Sequence, residues 1–259
     1  MQGSRLQGKR YIDDKAVKPF LEHLEDLRRT IILCLVSLAV AMAIAVPLAP
    51  WILSVLKVPL RQAGQDPERM LRVIEVTGGL SIAMTVILWS GVLLSAPFAV
   101  IFICRFVFPG LTAVEKRTVV QAMVLAVALF VGGIIVGYRL ILVVTLRWMF
   151  GISAWLGIPV EFVRVNDYVT LILKLLLIFG LSFEFPVVVL ALAKLGLVDV
   201  RFLAGKRRHV IVVLLFLAAV VTPTVDPLTQ LLVAAPLYVL YELCVWGVWA
   251  MERRKKRVP

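Results

Sequence analysis

The 259-residue sequence predicts an all-α polytopic membrane protein, with six transmembrane helices in one domain over residues 1–259. Three observations carry this. At 61% hydrophobic, against ~45–50% apolar usage in soluble domains, the chain has more apolar surface than one core could hide. The apolar residues lie in long uninterrupted blocks, which excludes a disordered or collagen-like chain and sets a soluble enzyme aside. The charged residues, 17% of the total, gather largely between those blocks.

Residues 1–29 carry twelve charges and no apolar core of signal-peptide type, so a charged cytoplasmic tail over 1–30 is expected rather than a cleaved leader. Leu21, Leu24 and Leu27 fall at helical spacing behind Pro19 and predict a short amphipathic helix running into the membrane. Apolar segments follow over 31–55, 80–106, 118–146, 169–193, 210–221 and 228–250. A helix needs ~20 apolar residues to cross ~30 Å of hydrocarbon. The fifth segment offers twelve, or about 18 Å at the helical rise. The sixth is continuous only over 231–241 before Glu242 interrupts it. This hairpin is therefore expected to be short for an unperturbed bilayer and to thin it locally. A basic tail over 251–259 closes the chain.

Lys and Arg are retained on the cytoplasmic side of a membrane. Of the 28 present, 20 fall on the two tails and on the loops after the second and fourth segments, seven fall on the opposite side, and Lys174 lies within a span. Both termini are thus predicted to be cytoplasmic. That face holds eight acids, so it alone supplies the formal net charge of +12. The basicity reflects topology, and nucleic acid is not an expected partner. Cys34, Cys104 and Cys244 are far apart and form no CxxC, so neither a disulfide framework nor a thiolate metal site is expected. His23 and His209 lack ligand spacing, and no P-loop, G-x-G-x-x-G, HExxH or nucleophile–base pair is present. No catalytic residue, cofactor or metal is predicted.

Four places stand out. Glu22, Glu25 and Asp26 cluster beside Arg28 and Arg29 at the mouth of the first membrane helix, in an otherwise basic face. Pairing of Glu25 and Asp26 with Arg29 along the helix, at ~0.2–0.5 kcal/mol each, is the ordinary account; recognition of a basic partner is the other. Glu115 is the lone acid of the loop after the second segment, followed by Lys116 and Arg117. Glu184, fifteen residues past Val169, should lie well inside the hydrocarbon, where a charge costs ~2.5–3.5 kcal/mol. It is expected to face protein, water or a partner, while Lys174 snorkels toward the outer face rather than bridging to it. Finally, Thr222, Pro223, Asp226 and Pro227 form a tight turn whose prolines stop both helices. Gln230, one turn into the next helix, must find a hydrogen-bond partner.

These residues resemble the TatC family, the receptor subunits of the twin-arginine protein translocase. Phe20, Leu21, His23, Leu24, Asp26, Leu27 and Arg28 are similar to its F-x-x-H-L-x-E-L-R signature. Ser95, Ala96, Pro97, then Phe108, Pro109, Gly110, Leu111 and Glu115, Lys116, Arg117, resemble its second helix and first cytoplasmic loop. The run Phe179, Gly180, Leu181, Ser182, Phe183, Glu184, Phe185, Pro186 is similar to F-G-x-S-F-E-x-P. Thr222, Pro223, Asp226, Pro227, Gln230, Pro236, Tyr241 and Glu242 resemble the last hairpin.

The resemblance implies a concave, glove-like bundle of six helices in a bacterial or archaeal cytoplasmic membrane, with no enzymatic activity. It implies binding of twin-arginine signal peptides of folded cargo through Asp26 and Glu115, with Glu25 and Arg28 beside them. It further implies contacts of Glu184, Thr222 and Gln230 with single-span TatA and TatB type partners, association with further TatC copies, and export driven by the proton motive force. Asp26 is one methylene shorter than the family's glutamate, so Glu25 could share its role. The alternative is a small-solute secondary transporter with a site built from Glu184 and Lys174, although no internal repeat of the transporter kind is visible.

Overall fold

The computed structural model describes residues 4–107, 113–158, 160–194, 196–221 and 227–255. Helix α1 (Ser4–Leu56) leads into two short helices, α2 (Val58–Gln62) and α3 (Pro67–Met70), and a two-residue strand, β1 (Leu71–Arg72). Helix α4 (Gly78–Val107) follows, then α5 (Ala113–Val136), which continues through a π-helical turn at Gly137–Ile141 into α6 (Leu142–Trp155). Strand β2 (Val163–Arg164) precedes α7 (Val165–Lys194), and α8 (Val200–Val221) and α9 (Pro227–Lys255) complete the chain.

Among the described residues, five stretches are long and apolar enough to span: Leu24–Gln62, Gly78–Ile103, Val124–Trp155, Val165–Leu190 and Gln230–Arg253. The sixth long helix, α8, places Arg201, Lys206, Arg207, Arg208 and His209 in its first half, leaving only 210–221 apolar, as expected. Two expectations are corrected. The amphipathic helix is not a separate element, because α1 runs unbroken from Ser4 with Pro19 inside it; the residues ahead of Pro19 include good helix formers such as Leu, Arg, Lys and Ala. The sixth segment is not short, because Glu242 does not interrupt α9; its carboxylate is paired within the bundle, as described below.

Helix α7 is the hub, packed on α4, α5 and α9 and touching α1 and α8. Its buried side chains Val169, Ile172, Leu175 and Phe179 join Leu142, Leu146, Val86, Val233 and Leu56 in the main core. A second cluster, Val189, Leu203, Tyr241, Cys244, Val245 and Val248, lies where α7 ends and the α8–α9 pair begins and ends. Between α5 and α7 the helices approach closely because Gly133 and Gly137 present no side chain. A Cβ on Gly133 would lie 2.6 Å from the Phe179 carbonyl oxygen. Small residues four apart allow this, and close van der Waals packing is what holds helices together in lipid.

At the end opposite the termini the fold is closed by side chains on helix-end carbonyls. The last carbonyls of a helix lack intrahelical partners, and here Tyr138 and Tyr168 donate to the Val55 and Leu56 oxygens, each at 2.7 Å. Arg147 donates through Nε and Nη2 to the Gln62 carbonyl at 3.2 and 2.7 Å. Lys57 pairs with Glu68 at 3.1 Å. Strands β1 and β2 pair in parallel, Leu71 with Val163 and Arg72 with Arg164. Thr85 of α4 donates to Asn166 of α7 at 2.6 Å.

Candidate functional site

The polar residues singled out fall in three regions, one at the terminal end of the bundle, one within α7 and one at the start of α9. At the terminal end, Glu25, Asp26, Arg28 and Arg29 are all exposed on α1 and line a shallow open crevice with Ile32 and Leu33. Among the described residues neither Glu25 nor Asp26 makes an ion pair, so the helix pairing with Arg29 is not seen. Thr30 instead donates its hydroxyl to the Asp26 backbone carbonyl at 2.9 Å. The two carboxylates thus stand open to solvent beside apolar Ile32 and Leu33, a composition suited to a cationic and partly apolar ligand. Glu115 falls in the first turn of α5 rather than in a loop, where an acid suits the positive end of the helix dipole. Its side chain lies outside the described residues.

Within α7, Glu184 is buried, 4% exposed, and among the described residues neither carboxylate oxygen has a hydrogen-bond partner. It shares this condition with the hydroxyls of Ser90 and Thr145. Glu184 sits one turn past Gly180, whose missing Cβ makes room for the Phe130 ring of α5, and residues four apart share a helix face. Of the three settings expected for it, protein, water or a partner, the structure places it among protein side chains. Lys174 does not approach it: its Nζ lies over the Trp89 ring of α4, 5.5 Å from the centroid, a cation–π contact. Their separation of ten positions along α7 is ~15 Å of helix, too far for a shared solute site.

Gln230 is half-buried on α9 and has no hydrogen-bond partner among the described residues. Pro227 opens that helix, as expected of a proline at its first position. Thr222, Pro223 and Asp226 lie outside the described residues.

One polar cluster escaped the sequence reading. Arg207 of α8 donates to Glu242 of α9 at 2.8 Å, and the Tyr238 hydroxyl donates to the same carboxylate at 2.8 Å. The hydrogen bond and charge of Glu242 raise the Arg207 guanidinium above its ordinary value. Nearby, Tyr241 donates to the Leu203 carbonyl at 2.5 Å, and Glu252 accepts from the Val200 N–H at 2.9 Å. These contacts fasten α8 to α9. No spacing within one helix announces a pair 35 residues apart; only the rarity of an acid inside an apolar stretch did.

The profile of the family described as Sec-independent protein translocase protein (TatC) matches residues 22–236. Among curated relatives, the Sec-independent protein translocase protein TatC of Deinococcus radiodurans is 33% identical over 94% of this chain and 92% of its own length. The chain belongs to the TatC family. The TatC of Aquifex aeolicus is 29% identical over 93% of this chain and 98% of its own. A crystal structure of the twin-arginine translocase receptor TatC superposes with a TM-score of 0.79 at 28% identity, covering 88% of this chain and 98% of that one. A second, in DDM, gives 0.78 at 29% identity, covering 86% of this chain and 98% of that one. The TatC family is one of non-enzymatic, polytopic helical membrane proteins of protein translocation. Nothing in these likenesses supports the solute-transporter alternative.

Proposed function

We propose that this TatC family protein is the receptor for twin-arginine signal peptides of folded cargo. It would sit in a bacterial or archaeal cytoplasmic membrane with both termini cytoplasmic, as the distribution of Lys and Arg supports. The observation that carries the reading is the pair of exposed carboxylates, Glu25 and Asp26, without ion pairs among the described residues, where the apolar stretch of α1 begins on a basic face. Two guanidinium groups need two carboxylates, and bidentate charge-assisted bonds suit Arg better than Lys. Asp26 and Glu25 on α1, with Glu115 on the first turn of α5, are the residues assigned to them, and Arg28 lines the same crevice. At ~1.5–3 kcal/mol per charged hydrogen bond, two contacts fall short of the ~8.2 kcal/mol of micromolar binding. The apolar stretch of the signal supplies much of the remainder against the apolar face that begins at Ile32 and Leu33.

Glu184, Thr222 and Gln230 are assigned to TatA and TatB type single-span partners, and further TatC copies complete the complex. Because Glu184 is buried within the bundle, a partner reaches it only after the packing around it shifts. Signal insertion provides the shift, and the proton motive force drives transport. The test is export in cells lacking their own homologue, supplied with this chain and its TatA and TatB partners. A folded reporter behind an Arg-Arg signal should be exported and its Lys-Lys version retained. Equal export of both, or export unaffected by Asp26→Ala combined with Glu115→Ala, would overturn the assignment.

A further inference from the structure

The end of the bundle opposite the termini holds a charge arrangement that the receptor reading does not use. In the β1–β2 ladder Arg72 is the direct partner of Arg164. Paired residues of adjacent strands stand ~4.8 Å apart with side chains on one face, and like charges placed side by side repel. Both arginines are exposed, whereas Leu71 and Val163 on the other face of the ladder rest on the main core. The ladder therefore holds the two arginines side by side on one face by burying their neighbours. Nearby acids do not relieve the repulsion. Asp66 pairs with Arg69 at 3.5 Å and Glu68 with Lys57 at 3.1 Å, and among the described residues Glu75, Glu161 and Asp167 make no ion pair with either arginine.

The surroundings say what kind of anion belongs there. Arg164 immediately precedes the apolar stretch that begins at Val165, and Arg72 lies just ahead of the one that begins at Gly78. The adjoining segments expose Val73, Ile74 and Val76 on one side and Trp155, Leu156, Ile158 and Phe162 on the other, with Trp155 84% exposed. Exposed aromatic and aliphatic side chains beside arginines at the ends of spans are the composition of a membrane–water interface.

We propose that Arg72 and Arg164 form a clamp for the phosphodiester of a lipid headgroup of net negative charge, in the leaflet at this end of the bundle. Two guanidinium forks match phosphate oxygens bidentately, and the flanking apolar side chains meet the upper acyl chains. A zwitterionic choline headgroup would bring a cation against two arginines, so the clamp selects anionic over neutral lipid. Lipid bound here fixes the depth of the cap that joins α1, α4 and α7.

The test uses the full chain in neutral detergent, titrated with phosphatidylglycerol, phosphatidylcholine and inorganic phosphate, with bound lipid counted by native mass spectrometry. The expected result is phosphatidylglycerol binding about tenfold tighter than phosphatidylcholine, as for a paired charged contact. That preference should fall to about unity in Arg72→Gln with Arg164→Gln. Arg61→Gln with Arg69→Gln, which removes as much charge nearby, should keep it, and Arg72→Lys with Arg164→Lys, which retains charge and fold but not the bidentate fork, should fall between. Equal binding of the two lipids, or a preference that survives loss of both arginines, overturns the clamp. Displacement of the lipid by millimolar inorganic phosphate would overturn the lipid in favour of a free-anion site.

Discussion

Adjacent glycines on α5 provide the sharpest test of the packing. Gly133 is buried against α7; a Cβ there would lie 2.6 Å from the Phe179 carbonyl oxygen and 2.9 Å from the Phe183 Cβ, against ordinary contact at 3.4 Å and beyond. Gly133→Ala thus requires α5 and α7 to separate by several tenths of an ångström, and the atoms in the way are backbone and Cβ, which cannot rotate aside. Overpacking of this kind costs ~1–3 kcal/mol. Gly132, its neighbour, has nothing within 4 Å of the same position, so Gly132→Ala should gain up to ~1 kcal/mol from helix propensity. The two single-methyl variants should therefore move in opposite directions. Thermal unfolding of the purified chain in detergent, followed by circular dichroism, reads the difference. At ~2–4 °C per kcal/mol for a chain of this size class, Gly133→Ala should melt several degrees below Gly132→Ala. Equal midpoints, or a higher one for Gly133→Ala, would refute the close α5–α7 approach.

Three further outcomes follow from other contacts. Tyr168→Phe removes the hydroxyl that holds the Leu56 carbonyl at 2.7 Å in a buried setting, and should lower stability by ~1–3 kcal/mol in the same melt; no change would mean that the α1 end is held by other contacts. Glu184→Leu replaces a buried carboxyl that has no partner among the described residues, so stability should rise by ~1–3 kcal/mol of avoided desolvation and the melting midpoint with it, while crosslinking to a TatA or TatB type partner falls. A variant that is less stable, or that crosslinks normally, would contradict the role given to Glu184. Spin labels along 210–221 of α8 should report a hydrophobic depth of about 18 Å, and a depth near ~30 Å would remove the locally thinned bilayer.

The spans were legible because apolar blocks of ~20 residues have few alternatives, and their order was readable from the loops between them. The shortness of 210–221 was legible for the same reason. Glu242 misled, because the cost of an acid in lipid was weighed without Arg207, which approaches from another helix. The single long α1 was missed because Pro19 signals a helix start more often than a helix interior. Glu184 was visible as a charge out of place, but its lack of a partner among the described residues is a property of the packing around it and no local pattern encodes it. The Gly133–Gly137 spacing was present to be read as a close-packing motif; what it packs against, Phe179 and Phe183, required the fold. Asp26 and Glu115 are proposed as site residues on family resemblance, since an exposed acid beside basic residues has an ordinary explanation in helix pairing.

The receptor reading is tested most directly by titrating the purified chain in detergent with a signal peptide bearing Arg-Arg and with the same peptide bearing Lys-Lys. The expected result is selective binding of the Arg-Arg peptide, lost in Asp26→Ala and in Glu115→Ala, with Glu25→Ala showing how far the neighbouring carboxylate shares the contact. Equal binding of both peptides, unaffected by either substitution, would contradict it and leave these carboxylates as surface charges.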